Sequence, residues 1–146
     1  MSSQAAALKL FDLVQSHRVT ALIHIAARLG LAELLRDGPQ PLGALAAATG
    51  ADEGALGRLL TALSTIGICS RSGDGRYALT ETGACLDGAG EHSVKGWVIF
   101  EAEMLAKSWS GMFDTIMSGK NAAELQGLAN SFELMGKTPE NVTKFN

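Results

Sequence analysis

Asp52 to Gly83, DEGALGRLLTALSTIGICSRSGDGRYALTETG, is the stretch whose reading decides the fold. Leu56, Leu59, Leu60 and Leu63 stand at i, i+3, i+4 and i+7, so they line one face of a helix. Asp52 is placed to cap that helix, since its carboxylate can accept from the free N–H groups of the first turn, worth about 1 kcal/mol. Ile66 extends the apolar face, and Gly67 stops the helix as a left-handed residue beyond its end. Ile68, Cys69 and Ser70 then read as extended chain. Ser72 to Gly75 (SGDG) is a tight turn, because glycine accepts the positive φ that hairpin turns need. Arg76 to Thr80 returns as a second strand, with Tyr77 and Leu79 alternating against Arg76 and Ala78.

Working outward, Pro41 to Thr49 is a short helix with Leu42, Leu45 and Ala46 inward and Gly50 at its end. A tight turn joins it to the Asp52–Ile66 helix, which makes a helix-turn-helix. Adding the hairpin gives the core of a winged helix. Upstream, Val19 to Leu29 forms a helix with Val19, Leu22, Ile23 and Ala26 in one stripe and Ile25 and Leu29 off it. Gly30 breaks it, Leu31 to Leu35 resumes it, and Asp37-Gly38-Pro39 ends it. Residues 3–17 form a first helix, with Ala7, Leu8, Phe11 and Val14 on one face and Leu10 and Leu13 widening it. Such an apolar helix packs on its own domain or on a second subunit.

Downstream, Thr80 caps a short helix running through Leu86, and Asp87 to Gly90 is a loop. Ser93 or a neighbour caps a long helix to about Ser118, banded by Trp97, Val98, Leu105, Trp109, Met112, Phe113, Ile116 and Met117, with Phe100 and Met104 beside the band. Both tryptophans and three of the five methionines fall here, which suits a core, a pocket wall or a dimer seam. Ala122 to Met135 is helical, and Thr138-Pro-Glu140 starts another helix that the sequence leaves barely two turns later, at Asn146. The expected fold is mainly α, a winged helix with flanking dimerisation helices. The expected organisation is one dimerisation domain over 1–146: an N-terminal dimer helix at 1–18, the winged helix at 19–90, and the long helix with truncated C-terminal helices at 91–146.

Composition narrows the function classes. With 146 residues the chain can bury a single core, and its net charge of −3 argues against nucleic acid or an anionic membrane as partner. A DNA-binding regulator is the alternative that winged helices raise. Between Pro41 and Cys85, however, Arg58, Arg71 and Arg76 face four acids, Asp52, Glu53, Asp74 and Glu81. Two of those acids open the would-be recognition helix, where phosphate contacts form. No apolar run reaches the roughly 18 residues of a membrane span, so the chain is expected to be soluble. Cys69 and Cys85 make no disulfide framework, and without a signal peptide they read as reduced, structural and cytoplasmic. His24 reads as a satisfied or partly exposed core histidine rather than a ligand, and Glu101 as an edge carboxylate with its head in water. No nucleophile–base pair, metal-ligand spacing or phosphate loop is visible.

The segments AARLGLAELL (26–35), PLGALAAATGADEGALGRLLTALSTIGI (41–68), GRYALTETGACL (75–86), WSGMFDTIMSGK (109–120) and FELMGKTPENVTKFN (132–146) together cover nearly the whole chain. In this order they resemble the N-terminal region of S-adenosylmethionine-dependent O-methyltransferases of the plant caffeic-acid type and their bacterial polyketide and carotenoid relatives. The resemblance implies a helical dimerisation domain containing a winged helix, preceding a Rossmann-like catalytic domain. It implies a first helix that reaches across a homodimer, and a helix at 94–117 that roofs the acceptor pocket. On that basis Phe100, Met104, Trp109 and Phe113 are substrate-binding candidates.

The family's donor loop departs from what stands here. No strand–GxGxG–helix unit occurs, and His17, His24 and His92 match no catalytic motif of the family. The chain alone is therefore expected to bind no cofactor and to lack methyl transfer. S-adenosylmethionine and a small aromatic or polyketide-like hydroxyl acceptor belong to the full-length enzyme. The expected partners are a second copy or a full-length methyltransferase subunit.

Overall fold

In the computed structural model, residues 3–127 are described. Helix α1 runs from Ser3 to Arg28 without interruption. The sequence suggested two helices parting near His17, but no glycine or proline lies between Ser3 and Leu29 to break the chain. The polar triplet at that point is absorbed locally: Ser16 Oγ donates to Leu13 O at 2.8 Å, and His17 Nδ1 lies 2.9 Å from Val14 O. The true break is Gly30, at φ 66°, after which α2 (Leu31–Leu35) begins.

Helix α3 (Leu42–Thr49) and helix α4 (Glu53–Thr65) follow, joined through Gly50 at φ 69°, whose N–H donates to Ala46 O at 2.9 Å. Asp52 caps α4 as its sequence position suggests, accepting from the Ala55 N–H at 2.7 Å. Beyond α4, the Ile68 N–H reaches back to Leu63 O at 2.9 Å, and strand β1 (Cys69–Arg71) begins. It pairs antiparallel with β2 (Tyr77–Leu79) in the register Cys69 to Leu79, Ser70 to Ala78 and Arg71 to Tyr77. The Arg71 guanidinium lies 5.6 Å from the Tyr77 ring centre. A partner not foreseen from sequence is Gln40, which exchanges two backbone hydrogen bonds with Tyr77 at 2.9 and 2.8 Å and so ties the segment before α3 to the hairpin.

Thr80 locks the exit of β2. Its hydroxyl donates toward Gly67 O at 2.6 Å, and it accepts the Gly83 N–H at 3.0 Å, capping α5 (Glu81–Ala84). Gly83 has no room for a side chain, because a Cβ there would stand 2.0 Å from the Ile68 carbonyl oxygen. The core that these elements enclose centres on Leu31, Leu45, Leu56, Leu60 and Leu63, all fully buried, with Leu35, Ile68, Tyr77 and Leu86 around them. Each buried leucine contributes about 1.5–3 kcal/mol of hydrophobic stabilisation.

The chain divides into two units between Val98 and Ile99. In place of one long helix to Ser118, the structure has α6 (Lys95–Phe100), a π-helical turn (Glu101–Leu105), α7 (Ala106–Ser110) and α8 (Met112–Ser118). In the π turn the Ala106 N–H bonds to Glu101 O, one residue further back than in an α-helix, which shifts the side-chain stripe. Gly111 stands between α7 and α8. Asn121 and Glu124 form a reciprocal capping box that starts α9 (Ala122–Leu125). The rest of the helix expected to Met135, and the Thr138–Glu140 helix start, lie outside the described residues.

Candidate functional site

The most exposed apolar surface of the first unit is on α1. Leu8, Leu10, Phe11, Leu13 and Val14 are 60–65% exposed, whereas the buried residues of this helix are Ala26 and Ala27 at its other end. At about 100° per residue these five side chains spread over roughly 220° of the helix circumference, a broad exposed apolar surface, and such surfaces mark contact sites. Toward the anchored end, Ile25 and Leu29 of α1 meet Ala51, Ala55, Leu56 and Leu59 around a groove of about 330 Å³. Ala51 and Ala55 are four apart, and their small side chains leave the groove floor open. Leu59, expected inside the α4 stripe, is half-buried and lines this groove instead.

A second feature is a charged cluster. Glu33 Oε1 accepts from Lys95 Nζ at 2.6 Å and from the Gly88 N–H at 3.0 Å. Burial works to raise the Glu33 carboxyl, but the Lys95 ammonium and the Gly88 N–H together hold it below its ordinary value. Arg36 grips Asp87 through Nε and Nη2, one to each carboxylate oxygen, and Asp87 also accepts the Ala89 N–H at 2.9 Å. The guanidinium hydrogen bonds pull the Asp87 carboxyl down to about 2. A cavity of about 360 Å³ lies beside this pair, lined by Leu35, Ala78, Thr80, Glu81 and Ala84 among others.

The substrate-binding candidates from sequence all fall in the second unit. Phe100 ends α6 and Met104 sits in the π turn, both half-buried. Trp109 on α7 and Phe113 on α8 are 61% and 75% exposed. Neither cavity above is lined by any of the four. Cys69 is buried and its thiol is pushed up to about 11 by that burial, which makes it a poor nucleophile.

These features also test whether the methyl donor implied by the sequence fits here. β2 passes through the single residue Thr80 into a four-residue helix, leaving no glycine-rich loop between strand and helix. The two strands are antiparallel and three residues long. A nucleotide-like donor needs a strand feeding a glycine loop into a helix N-terminus, so the described residues do not fit it and no chemical step is derived through it.

Residues 11–87 match the family profile of the O-methyltransferase dimerisation domain. The chain belongs to this family. Phenazine O-methyltransferase PhzM of Lysobacter antibioticus is 29% identical over 94% of this chain and 40% of its own length. Mitomycin biosynthesis 6-O-methyltransferase of Streptomyces lavendulae is 30% identical over 92% of this chain and 39% of its own length. The crystal structure of LaPhzM superposes with a TM-score of 0.87 at 28% identity, over 96% of this chain and 42% of that one. This dimerisation-domain chain therefore spans about 40% of the length of the curated relatives it matches. The six residues of the apolar groove, and Phe11, Leu13 and Val14 of the exposed α1 face, all fall within the matched span. Trp109 and Phe113 fall outside it.

What sequence reading missed was the Glu33–Lys95 and Arg36–Asp87 pairing, whose partners are 62 and 51 residues apart. Local spacing carries no signal of contacts at that range. The one hint was Lys95 itself, a cation opening a helix against the favoured charge order.

Proposed function

We propose that this chain is the self-association and substrate-roof portion of a methyltransferase that moves a methyl group from S-adenosylmethionine to a hydroxyl of a small aromatic or polyketide-like acceptor. By itself it forms a homodimer in the cytoplasm, or pairs with a full-length subunit, and transfers no methyl group. Residues 19–90 act as a winged-helix body, the 1–18 part of the continuous α1 as a dimer arm, and 91–146 as the roof that leads toward a Rossmann-like domain. Phe100, Met104, Trp109 and Phe113 face the acceptor in the assembled enzyme.

The observation that carries this reading is the N-terminal half of α1, whose five large apolar side chains are 60–65% exposed in a chain of the dimerisation-domain family. A second copy laid on it would remove from water the kind of surface that drives association. The name of the phenazine methyltransferase relative supports an aromatic acceptor.

Light scattering across micromolar concentrations tests the reading. A dimer is expected, and Leu10→Asp with Phe11→Asp is expected to convert it to monomer with the helical circular dichroism retained. A strict monomer for the unaltered chain would overturn the self-association. Calorimetric titration with S-adenosylmethionine should show no binding at millimolar donor. One-to-one binding would mean the chain carries a donor site of its own.

A further inference from the structure

The charged cluster lies apart from the apolar face of α1 and has its own logic. Glu33 and Arg36 are three residues apart, so they rise from the same side of α2 and its immediate exit. Asp87 and Lys95 stand at the two ends of the segment that leads from α5 into α6. The pairing is crossed: the acid of α2 takes the base of the segment, and the base beside α2 takes its acid. The four charges cancel. Their side chains are 13–46% exposed, sheltered enough that solvent and salt screen them only in part.

Two further details fit a built contact. A Cβ at Gly88 would stand 3.3 Å from Glu33 Oε1, so any side chain there would crowd the carboxylate. Lys95 opens α6, where the helix dipole disfavours a cation, so its place is accounted for by Glu33 and not by helix stability. Arg36 also feels Asp37 beside it and Glu33 one turn back, and Asp87 feels Lys95, so the two pairs are coupled to each other.

We propose that this crossed pair is a latch. It positions segment 87–95 and the first turn of α6 against α2, and it opens without unfolding the α3–α4–hairpin core. Glu33, Arg36, Asp87 and Lys95 are thus positioning residues for the start of the helix that carries Trp97. This assignment does not depend on the methyltransferase reading.

Amide hydrogen exchange on the 146-residue chain tests it. The informative amides are Ser93 and Val94, which bond to Gly90 O and Cys85 O and not to any carboxylate of the latch. Glu33→Gln and Lys95→Met are each expected to speed their exchange about fivefold to tenfold, while the Leu60 and Leu63 amides stay within about twofold. Exchanging the charges, with Glu33→Lys and Lys95→Glu together, should recover part of the protection that Glu33→Lys alone removes. Two results would overturn the proposal. One is Ser93 and Val94 exchange unchanged in both single variants. The other is acceleration of the Leu60 and Leu63 amides in step with them, which would make the pairs part of the global fold. Should Glu33→Gln fail to fold, Lys95→Met decides alone, because it leaves α2 intact.

Discussion

Leu56, Leu59, Leu60 and Leu63 share their spacing with Trp109, Met112, Phe113 and Ile116, i, i+3, i+4 and i+7 in each case. Three of the leucines are buried, with Leu60 at 0% exposure. Of the second set, Phe113 and Ile116 are 75% and 73% exposed. Periodicity thus says which side of a helix is apolar and nothing about what covers that side. The first stripe has α1, α3 and β1 packed against its helix. The second belongs to a helix interrupted by Gly111, which turns Trp109 and Phe113 onto separate segments.

The comparison can be broken first at its buried end. Leu60→Ala should cost about 2–5 kcal/mol in urea or thermal unfolding, because the site is fully enclosed and cannot collapse cheaply. A loss below half a kilocalorie would mean the leucine stripe is not the centre of the core. Gly83→Ala comes next. Its methyl group would land on the Ile68 carbonyl, so a loss of about 1–3 kcal/mol or more is expected, with the Thr80 amide, which bonds to Ile68 O, losing exchange protection first.

Acid sharpens it further. The Asp87 carboxyl, ordinarily near 3.8, is held down to about 2 by Arg36. A lowered carboxyl favours the folded state above its unfolded value, and that contribution fades as pH falls from about 4 through about 2. The unaltered chain should therefore lose stability over this window more steeply than Asp87→Asn, as read by unfolding at several pH values. The smallest effect is expected at the exposed end. Phe113→Ser should change unfolding stability by no more than about 0.5 kcal/mol. A cost approaching that of Leu60→Ala would show that Phe113 is covered in solution.

The body of the fold was legible because its signals are local. Gly30, Gly50 and Gly67 end helices where only a positive φ continues the chain, Asp52 and Thr80 are caps, and SGDG is the turn. Three things were not legible. The continuity of α1 was hidden because Ser16, His17 and Arg18 looked like a boundary, although polar residues on an exposed helix face break nothing. The π turn at Glu101–Leu105 has no composition that marks it. Gln40 on Tyr77 and the crossed ion pairs join residues far apart in sequence. For the pocket candidates, Phe100 and Met104 against Trp109 and Phe113, the sequence supplied residue type and band but no measure of exposure.

Helix α1 gives the last consequence. Twenty-six residues without a break make a rod of about 39 Å, held at Ala26 and Ala27 and carrying its apolar patch from Leu8 to Val14. In such a rod rotation and advance are geared together, so one residue inserted near Gln15 would swing the patch by about 100° and push it out by about 1.5 Å. Chain length between patch and anchor is therefore an address. It sets the direction in which each exposed side chain from Leu8 to Val14 points relative to the anchored end, and a one-residue change in that spacing re-aims all of them even with every side chain retained.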